Sequence, residues 1–209
     1  PCSSLGHMVD RVCARWDDGG GGWYLRQGDD DSADGVIALD RLLEDLRSAV
    51  ADGTPVLILA TSIALSFLLE RWPDGLQIRL PAGSRLMDTG GPKGRGVAID
   101  RAGQHKALAH ALGLSIDAMV GEFGMTELAS QRYESVVRAR IVGDIEPSRL
   151  YFGPPWLRSV ALDVETLAPL ADGETGLLGH IDLANLDTCA FVLTADLGRI
   201  VRTGDGVAG

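Results

Sequence analysis

Apolar positions recur every three to four residues in four stretches of the chain, and this spacing predicts four helices. The stretches cover residues 3–16, 37–50, 62–70 and 99–112. Gly53 and Gly113 follow two of them and are the expected C-terminal stops. Short apolar runs predict strands at residues 23–25, 55–60, 76–80, 85–87 and 116–120. Strands that alternate with helices in this way are typical of a mostly parallel sheet covered by helices.

After about Pro147 the pattern changes to short strands separated by turn residues. These strands are predicted at residues 158–164, 176–183, 191–193 and 199–201, and together they indicate a small antiparallel β lobe. We therefore predict an α/β fold in two parts. An α/β sheet subdomain would cover residues 1–145, and a β-rich subdomain would cover residues 146–209.

Composition narrows the class of protein. The 209 residues are 45% hydrophobic and 23% charged, which is the usual range for a folded globular chain. The net charge is −10, whereas general nucleic-acid and anionic-membrane binders carry clustered Lys and Arg, so neither kind of partner is expected. The longest apolar stretch, residues 56–69, is too short and too interrupted by polar residues to span a bilayer.

The three cysteines do not indicate a disulfide-bonded or zinc-binding scaffold. Cys2, Cys13 and Cys189 form no Cys-x-x-Cys pair, so we predict neither a disulfide scaffold nor a zinc ribbon. We find no signal-peptide pattern and expect the cytoplasm as the compartment. Because Pro1 stands inside a predicted helix start and Gly209 ends the chain in the middle of a pattern, we also expect a piece of a longer protein.

Two segments lie at predicted strand ends, where open α/β sheets bind ligands. The first, residues 88–96, is rich in glycine, and Gly90 and Gly91 would let the backbone approach a flat ligand or a phosphate closely. It matches neither the P-loop nor the dinucleotide fingerprint. Taken alone, it is more typical of a plain turn.

The second segment, residues 121–127, joins an apolar strand to a predicted helix. Thr126 is suited to donate to a phosphate oxygen, and Glu127 is suited to hold Mg²⁺, which prefers oxygen ligands. A capping arrangement at the start of a helix explains the same residues equally well. Spacing alone leaves both interpretations open.

Four motifs resemble those of the adenylate-forming acyl and aryl ligases and stand in that superfamily's order. They are Gly90-Gly91, Phe123-Gly124-Met125-Thr126-Glu127, Gly173-Glu174-Thr175-Gly176 and Thr194-Ala195-Asp196-Leu197-Gly198. Within the superfamily, the chain is most similar to the acyl-protein synthetase of the bacterial luminescence fatty-acid reductase. Three sequence segments support this similarity: Ser3-Ser4-Leu5-Gly6-His7-Met8, Gly90-Gly91-Pro92-Lys93, and residues 124–131 with the sequence Gly-Met-Thr-Glu-Leu-Ala-Ser-Gln.

The resemblance implies activation of a carboxylic acid, fatty or otherwise apolar, by ATP to an acyl-adenylate, followed by transfer to a thiol. It places the adenine ring against Phe123 and Gly124 and along Gly90 and Gly91. Thr126 would bind phosphate, Glu127 would hold Mg²⁺, and Asp196 would bind the ribose hydroxyls. The catalytic candidates are thus Thr126 and Glu127, with Cys189 as a candidate acyl carrier. An acyl reductase or another acyl-acceptor protein would be the partner.

The chain also departs from the superfamily's pattern. Phe123 replaces a tyrosine and Ala195 a glycine. The resemblance implies a phosphate loop before the first residue here and a C-terminal lid with a catalytic lysine after the last. We therefore expect this chain to bind nucleotide weakly and not to catalyse adenylation by itself. Along a straight strand Cys189 would stand roughly 23 Å from Asp196, and an ordinary half-buried strand cysteine is the competing interpretation.

Two other functions remain open from the sequence. A phenylacetate-type ligase would pass its acyl-adenylate to coenzyme A rather than to a protein thiol. A non-catalytic α/β module would bind a nucleotide or a protein partner without chemistry. His7 and His180 are expected to be structural. His105 and His110 stand five apart on one predicted helix and point to different faces, so they are not expected to form a metal pair, and Ser62 lacks the glycines of a nucleophile elbow.

Overall fold

The structure is a computed structural model that describes residues 4–17, 19–26, 36–90, 100–143, 148–203 and 206–208. The chain divides into two compact units, Pro1–Met119 and Val120–Gly209. Helices and a parallel strand pair occur in the first unit, and antiparallel strands dominate the second, which confirms the predicted α/β fold with an antiparallel β lobe. The predicted subdomain boundary near residue 145 stays a prediction. Within the described residues, no helix has the length and apolar character needed to cross a membrane.

In the part of the first unit that the structure describes, there are four α-helices and four strands. In chain order they are α1 (Ser4–Trp16), β1 (Leu25–Arg26), β2 (Val36–Ile37), α2 (Leu39–Asp52), β3 (Leu57–Thr61), α3 (Ser62–Arg71), β4 (Arg85–Thr89) and α4 (Arg101–Leu112). The four helices predicted from apolar spacing are confirmed. Gly53 and Gly113 end α2 and α4 in the left-handed conformation, with φ of 70° and 63°, which explains why glycine stands at both positions.

β3 and β4 form a parallel pair in which Leu57 faces Arg85 and Thr61 faces Thr89. The helices cover an apolar core beside this pair. Its most buried members are Leu46, Leu65, Leu86, Leu108, Leu112 and Met119. Full burial of each such side chain stabilises the fold by about 1.5–3 kcal/mol. The core therefore fixes α2, α3 and α4 along the strand pair.

Three strand predictions in this unit need correction. Residues 76–80 form no strand; instead, Ile78 and Leu80 donate their N–H groups to the carbonyls of Ala111 and Leu112 at the end of α4. Residues 116–118 form a 3₁₀ turn, which Ser115 caps by accepting the N–H of Asp117. The strand predicted at residues 23–25 lies at Leu25–Arg26.

The second unit consists mainly of antiparallel strands. It contains β5 (Met119–Phe123, which starts at the division), β6 (Arg132–Glu134), α5 (Val136–Ile141), β7 (Tyr151–Phe152), β8 (Leu157–Leu162), β9 (Thr175–Asp182), β10 (Phe191–Arg199), β11 (Val201–Thr203) and β12 (Gly206–Ala208). β5, β6 and β7 pair in sequence, and β9 pairs with both β8 and β10. β10 is one strand with a register shift, where the sequence predicted a strand of only three residues from Phe191 and another near Arg199.

The Gly-Glu-Thr-Gly motif is a structural turn before β9. Gly173 has φ of 87°, and its N–H donates to the carbonyl of Ile200 at 2.8 Å. A side chain at Gly176 would collide with the backbone carbonyl of Leu162 on the neighbouring strand. Backbone geometry at Gly173 and close strand packing at Gly176 therefore explain both glycines.

Candidate active site

Thr126 and Glu127 lie in a loop between two antiparallel strands. β5 ends at Phe123, which pairs with Arg132 of β6, and residues 124–131, here named the motif loop, connect the two strands. Within residues 124–131 the structure has turns and no helix. The helix predicted after residue 127 is therefore wrong, and so is the helix-cap interpretation. The chain reverses here because the end of the loop is bound to a buried carboxylate.

That carboxylate belongs to Asp182, which is 0% exposed at the end of β9. Ser130 donates both its backbone N–H and its hydroxyl to Asp182, at 2.8 and 2.9 Å. The indole N–H of Trp156 in turn donates to the Ser130 hydroxyl at 3.0 Å. Hydrogen bonds to an ionised carboxylate are stronger than neutral ones. They hold the end of the motif loop against β9.

Glycine at position 124 has a packing reason. A Cβ atom built there would collide with a carboxylate oxygen of Glu122 and touch the side chain of Gln131. Glu122 is itself buried, so its side chain has little room to move. Gly124 therefore lets the motif loop leave β5 in close contact with that strand's own side chains.

Residues 183–190 form a second loop, named the cysteine loop. Asp182 accepts the N–H of Ala184 at 3.0 Å and closes the far end by donating its own N–H to the carbonyl of Ala190 at 2.8 Å. The side-chain nitrogen of Asn185 donates to two carbonyls, Glu127 at 2.7 Å and Cys189 at 3.2 Å. One side chain thus bridges the motif loop and the cysteine loop.

A cleft of about 440 Å³ opens between the two loops. Its lining residues are Thr126, Glu127, Leu128 and Ala129 from the motif loop, and Asn185, Thr188, Cys189 and Val192 from the cysteine loop and the start of β10. The volume is within the range of small-molecule sites. The structure therefore brings together the three side chains that the sequence analysis selected for chemistry, Thr126, Glu127 and Cys189.

Cys189 is exposed and precedes β10 rather than lying in a half-buried strand. Its thiol donates to the carbonyl of Phe191 at 3.0 Å. Thr126 and Glu127 are also exposed. All three groups are therefore accessible to a ligand in the cleft.

Phe123 lies at the end of β5 with its ring half-buried. The ring meets Tyr151 edge-on at a centroid distance of 6.2 Å and His180 at 5.6 Å. These contacts fix the orientation of the ring, which is the property a stacking platform needs. The adenine-binding role of Phe123 and Gly124 stays a prediction.

His180 is 2% exposed in β9, where it pairs with Ser159 of β8. Its Nδ1 accepts from Arg132, at 3.3 Å, and lies 2.5 Å from the Ser159 hydroxyl. Because a guanidinium only donates, Nδ1 carries no proton and the neutral ring holds its proton on Nε2. Burial and the nearby Arg132 charge, opposed in part by Asp196, lower the pKa of His180 to about 4. Among the described residues Nε2 has no hydrogen-bond partner.

Asp196 is exposed on an irregular part of β10. Leu193 pairs with Gly179 and Leu197 with Leu177, so β10 uses four steps where β9 uses two. Thr194 satisfies the carbonyl of Leu178 within this bulge by donating its hydroxyl at 2.9 Å. Bulges commonly redirect a side chain beside a functional site. The distance estimated from the sequence assumed a straight strand between Cys189 and Asp196. The register shift shows that this strand is not straight.

Gly90 follows β4 in the first unit, with φ of 78°. Its carbonyl accepts the Ser62 hydroxyl at 2.6 Å, and the buried carboxylate of Asp88 lies beneath it with Arg101 at 2.9 Å and His105 at 3.2 Å. Burial by itself would raise the pKa of Asp88, but the hydrogen bonds from His105 and Arg101 lower it well below its usual range. Gly91 lies outside the described residues. The ligand role of both glycines stays a prediction.

Sequence reasoning expected His180 to be structural but missed the other polar residues of these hydrogen-bond networks. They are Asp182, Asn185, Ser130, Arg132 and Asp88. One signal was available: His180 and Asp182 stand two residues apart in an otherwise apolar strand and therefore share its inner face. Their partners lie about fifty residues away, and no local pattern connects them.

The described residues contain no group of three His, Cys, Asp or Glu side chains able to hold a metal ion. Glu127 is a single exposed carboxylate at the cleft. Mg²⁺ in phosphate sites is commonly held by one or two carboxylates together with substrate phosphates and waters. The donor set therefore fits Mg²⁺ that arrives with a phosphate ligand and does not fit a metal bound by protein alone.

Comparison with known proteins decides the family. The sequence model of the acyl-protein synthetase family LuxE matches residues 25–209. The chain belongs to the LuxE family. Two curated relatives carry the name long-chain-fatty-acid–luciferin-component ligase: that of Aliivibrio fischeri is 49% identical over 47 residues, and that of Vibrio harveyi is 42% identical over 53 residues. These matches cover 22% and 25% of this chain, and 12% and 14% of the two relatives.

The fold of this LuxE-family chain is also found among solved structures. The ATP-bound structure of MatB from Rhodopseudomonas palustris superposes with a TM-score of 0.53 at 17% sequence identity. The match covers 83% of this chain and 32% of that one. At this identity the likeness establishes the fold alone. The chain thus corresponds to about a third of that larger protein.

Proposed function

We propose that this chain carries the adenylate site of an acyl-protein synthetase, which activates a carboxylic acid with ATP and passes the acyl group to a protein thiol. The observation that supports it most directly is the cleft that Thr126, Glu127 and Cys189 share. A phosphate-binding hydroxyl, a cation-binding carboxylate and a thiol in one cleft match the needs of the two half-reactions. Membership of the LuxE family supports the same activity.

In the first half-reaction a carboxylate oxygen of the acid attacks the α-phosphorus of ATP. The bond from that phosphorus to the bridging oxygen breaks, and pyrophosphate leaves. The Thr126 hydroxyl donates to a phosphate oxygen, and Asp196 accepts the two ribose hydroxyls through charge-assisted hydrogen bonds. Mg²⁺ bound at Glu127 with the phosphates would supply neutralisation of the developing charge.

In the second half-reaction a thiolate attacks the acyl carbon, a thioester forms, and AMP leaves with the bonding electron pair. Cys189 is the candidate acceptor because its exposed thiol lines the same cleft as Thr126 and Glu127. Its proton is held toward the Phe191 carbonyl, so a base or solvent must remove it before attack. Coenzyme A is the alternative acceptor.

The acid is proposed to be a long-chain fatty acid, since two curated relatives are named as long-chain-fatty-acid ligases. The cleft has apolar walls at Leu128, Ala129 and Val192, which suit an alkyl chain near the carboxyl end. An acyl reductase that takes the acyl group from the thiol is the proposed partner.

Nucleotide binding tests the proposal on this chain directly. Melting curves would be recorded with ATP–Mg²⁺, AMP and a non-hydrolysable acyl-adenylate mimic. At about 100 times Kd a ligand stabilises the folded chain by about 2.7 kcal/mol, which corresponds to a rise in Tm of about 5–10 °C at this size. Asp196→Ala should weaken binding at least tenfold, whereas Glu165→Ala, another exposed acidic position, should not change it. Absence of any shift with the mimic would contradict the proposal.

The acceptor is tested in the full-length gene product. A labelled fatty acid with ATP should produce a thioester on the protein that Cys189→Ser abolishes. Consumption of free coenzyme A with AMP release, and no protein-bound label, would instead identify a ligase of the coenzyme A type. Labelled thioester that persists in Cys189→Ser would exclude Cys189 as the carrier.

A further inference from the structure

The cysteine loop is held to the motif loop by one amide group. The side-chain nitrogen of Asn185 donates to the carbonyl of Glu127 at 2.7 Å and to the carbonyl of Cys189 at 3.2 Å. A primary amide has two N–H donors, so both are used and each points to a different loop. The two residues bridged in this way are the candidate cation ligand and the candidate acyl carrier.

Asp182 anchors the ends of the two loops, and Asn185 bridges them between these anchors. The buried carboxylate anchors the motif loop at Ser130 and the first turn of the cysteine loop at Ala184. The ladder hydrogen bond from Asp182 to Ala190 fixes the other end of the loop. Between these anchors, Asn185 is the described side chain that spans from one loop to the other at the cleft.

We propose that Asn185 is a positioning residue that sets the distance between the thiol of Cys189 and a ligand bound on the motif loop. The inference rests on the proposed function, because it assigns the adenylate to the Thr126 and Glu127 side of the cleft. The hydrogen bonds of the Asn185 side chain go to two backbone carbonyls, so the effect proposed for it is exerted through the two loops. Loss of the amide should free the cysteine loop without removing any proposed ligand contact.

Two variants separate the hydrogen bonds from the shape of the side chain. Asn185→Asp keeps the shape but replaces both donors with oxygen, which cannot donate to the two carbonyls when ionised. Asn185→Ala removes the group altogether. Leu186→Ala is the matched control, since Leu186 is the next residue in the loop and is 86% exposed. Melting curves of all variants would show that each is folded.

The first measurement needs no ligand. Hydrogen–deuterium exchange reports opening of the cysteine loop at residues 183–186, whose backbone N–H groups are hydrogen-bonded in the structure. Two hydrogen bonds of about 0.5–1 kcal/mol each correspond to a 5–30-fold change in the population of the freed loop. These amides should exchange about 5–30 times faster in Asn185→Asp and Asn185→Ala than in the parent, and Leu186→Ala should not change the rate. Equal rates in all four chains would overturn the inference.

The second measurement uses the acyl-adenylate mimic. In a chain with Cys2 and Cys13 replaced by serine, so that iodoacetamide alkylates Cys189 alone, the mimic should slow alkylation. That protection should be lost in Asn185→Ala, while the Kd of the mimic changes by less than about threefold. Full protection retained in Asn185→Ala would overturn the inference and leave the proposed function standing. Failure of the mimic to bind the parent chain would instead contradict the proposed function, and the ligand-free rates would still decide the role of Asn185.

Discussion

Stability of the chain should fall as the pH is lowered, because His180 is buried in its neutral form. Burial and the charge of Arg132 lower its pKa from 6.5 to about 4. A proton therefore binds the unfolded chain more readily than the folded one between about pH 7 and pH 4. The stabilisation is lost as the pH falls below 6.5 and is fully lost near pH 4. From pH 7.5 to pH 5 this single group removes about 2 kcal/mol from the free energy of unfolding.

Urea unfolding at pH 7.5 and pH 5 of the parent chain and of His180→Gln measures this term. Glutamine does not bind a proton in this pH range. The free energy of unfolding of the variant should therefore fall by about 2 kcal/mol less than that of the parent between pH 7.5 and pH 5. His110→Gln is the matched control for exchanging an imidazole for an amide, since His110 is exposed on α4. The same pH dependence in His180→Gln and the parent would refute the assignment of a neutral buried ring.

Two further predictions concern the framework of each unit. Asp88→Asn should cost about 3 kcal/mol in urea unfolding, because it removes the buried charge that pairs with Arg101 and His105; a loss below 1 kcal/mol would show that the pair contributes little. Gly176→Ala should prevent folding of the β8–β9 pair, since its methyl group meets the Leu162 carbonyl, whereas Gly179→Ala meets only side chains at 3.3 Å. Comparison of soluble yield and Tm of the two alanine variants tests this, and equal behaviour would contradict it.

The helices could be predicted from the sequence because their determinants are local. The three-to-four-residue spacing and the stops at Gly53 and Gly113 are properties of short segments. The strand prediction for residues 76–80 failed because an apolar run resembles a strand even when its N–H groups donate to carbonyls at the end of a helix. The helix prediction for the segment after Phe123 failed for a related reason. The hydrogen bonds that hold this segment as a loop join Ser130 to Asp182, fifty-two residues away.

The candidate site could be predicted in its residues but not in its assembly. Family resemblance selected Thr126, Glu127 and Cys189, yet their common cleft lies between two loops that are distant in sequence, and Asn185 bridges these loops by bonding a carbonyl fifty-eight residues away. Buried polar partners such as His180 and Arg132 follow from strand register, which no single segment encodes. The residues that do the positioning were therefore invisible to motif analysis.

The bulge in β10 has a simple arithmetic consequence. It adds two residues to β10 relative to β9, and an even number leaves the alternation of inward and outward side chains unchanged on both sides. Phe191, Leu193 and Leu197 accordingly keep one face of the strand across the irregularity. An insertion of an even number of residues can thus add a projecting carboxylate such as Asp196 to a sheet. The strand positions on both sides of the insertion keep their facing partners.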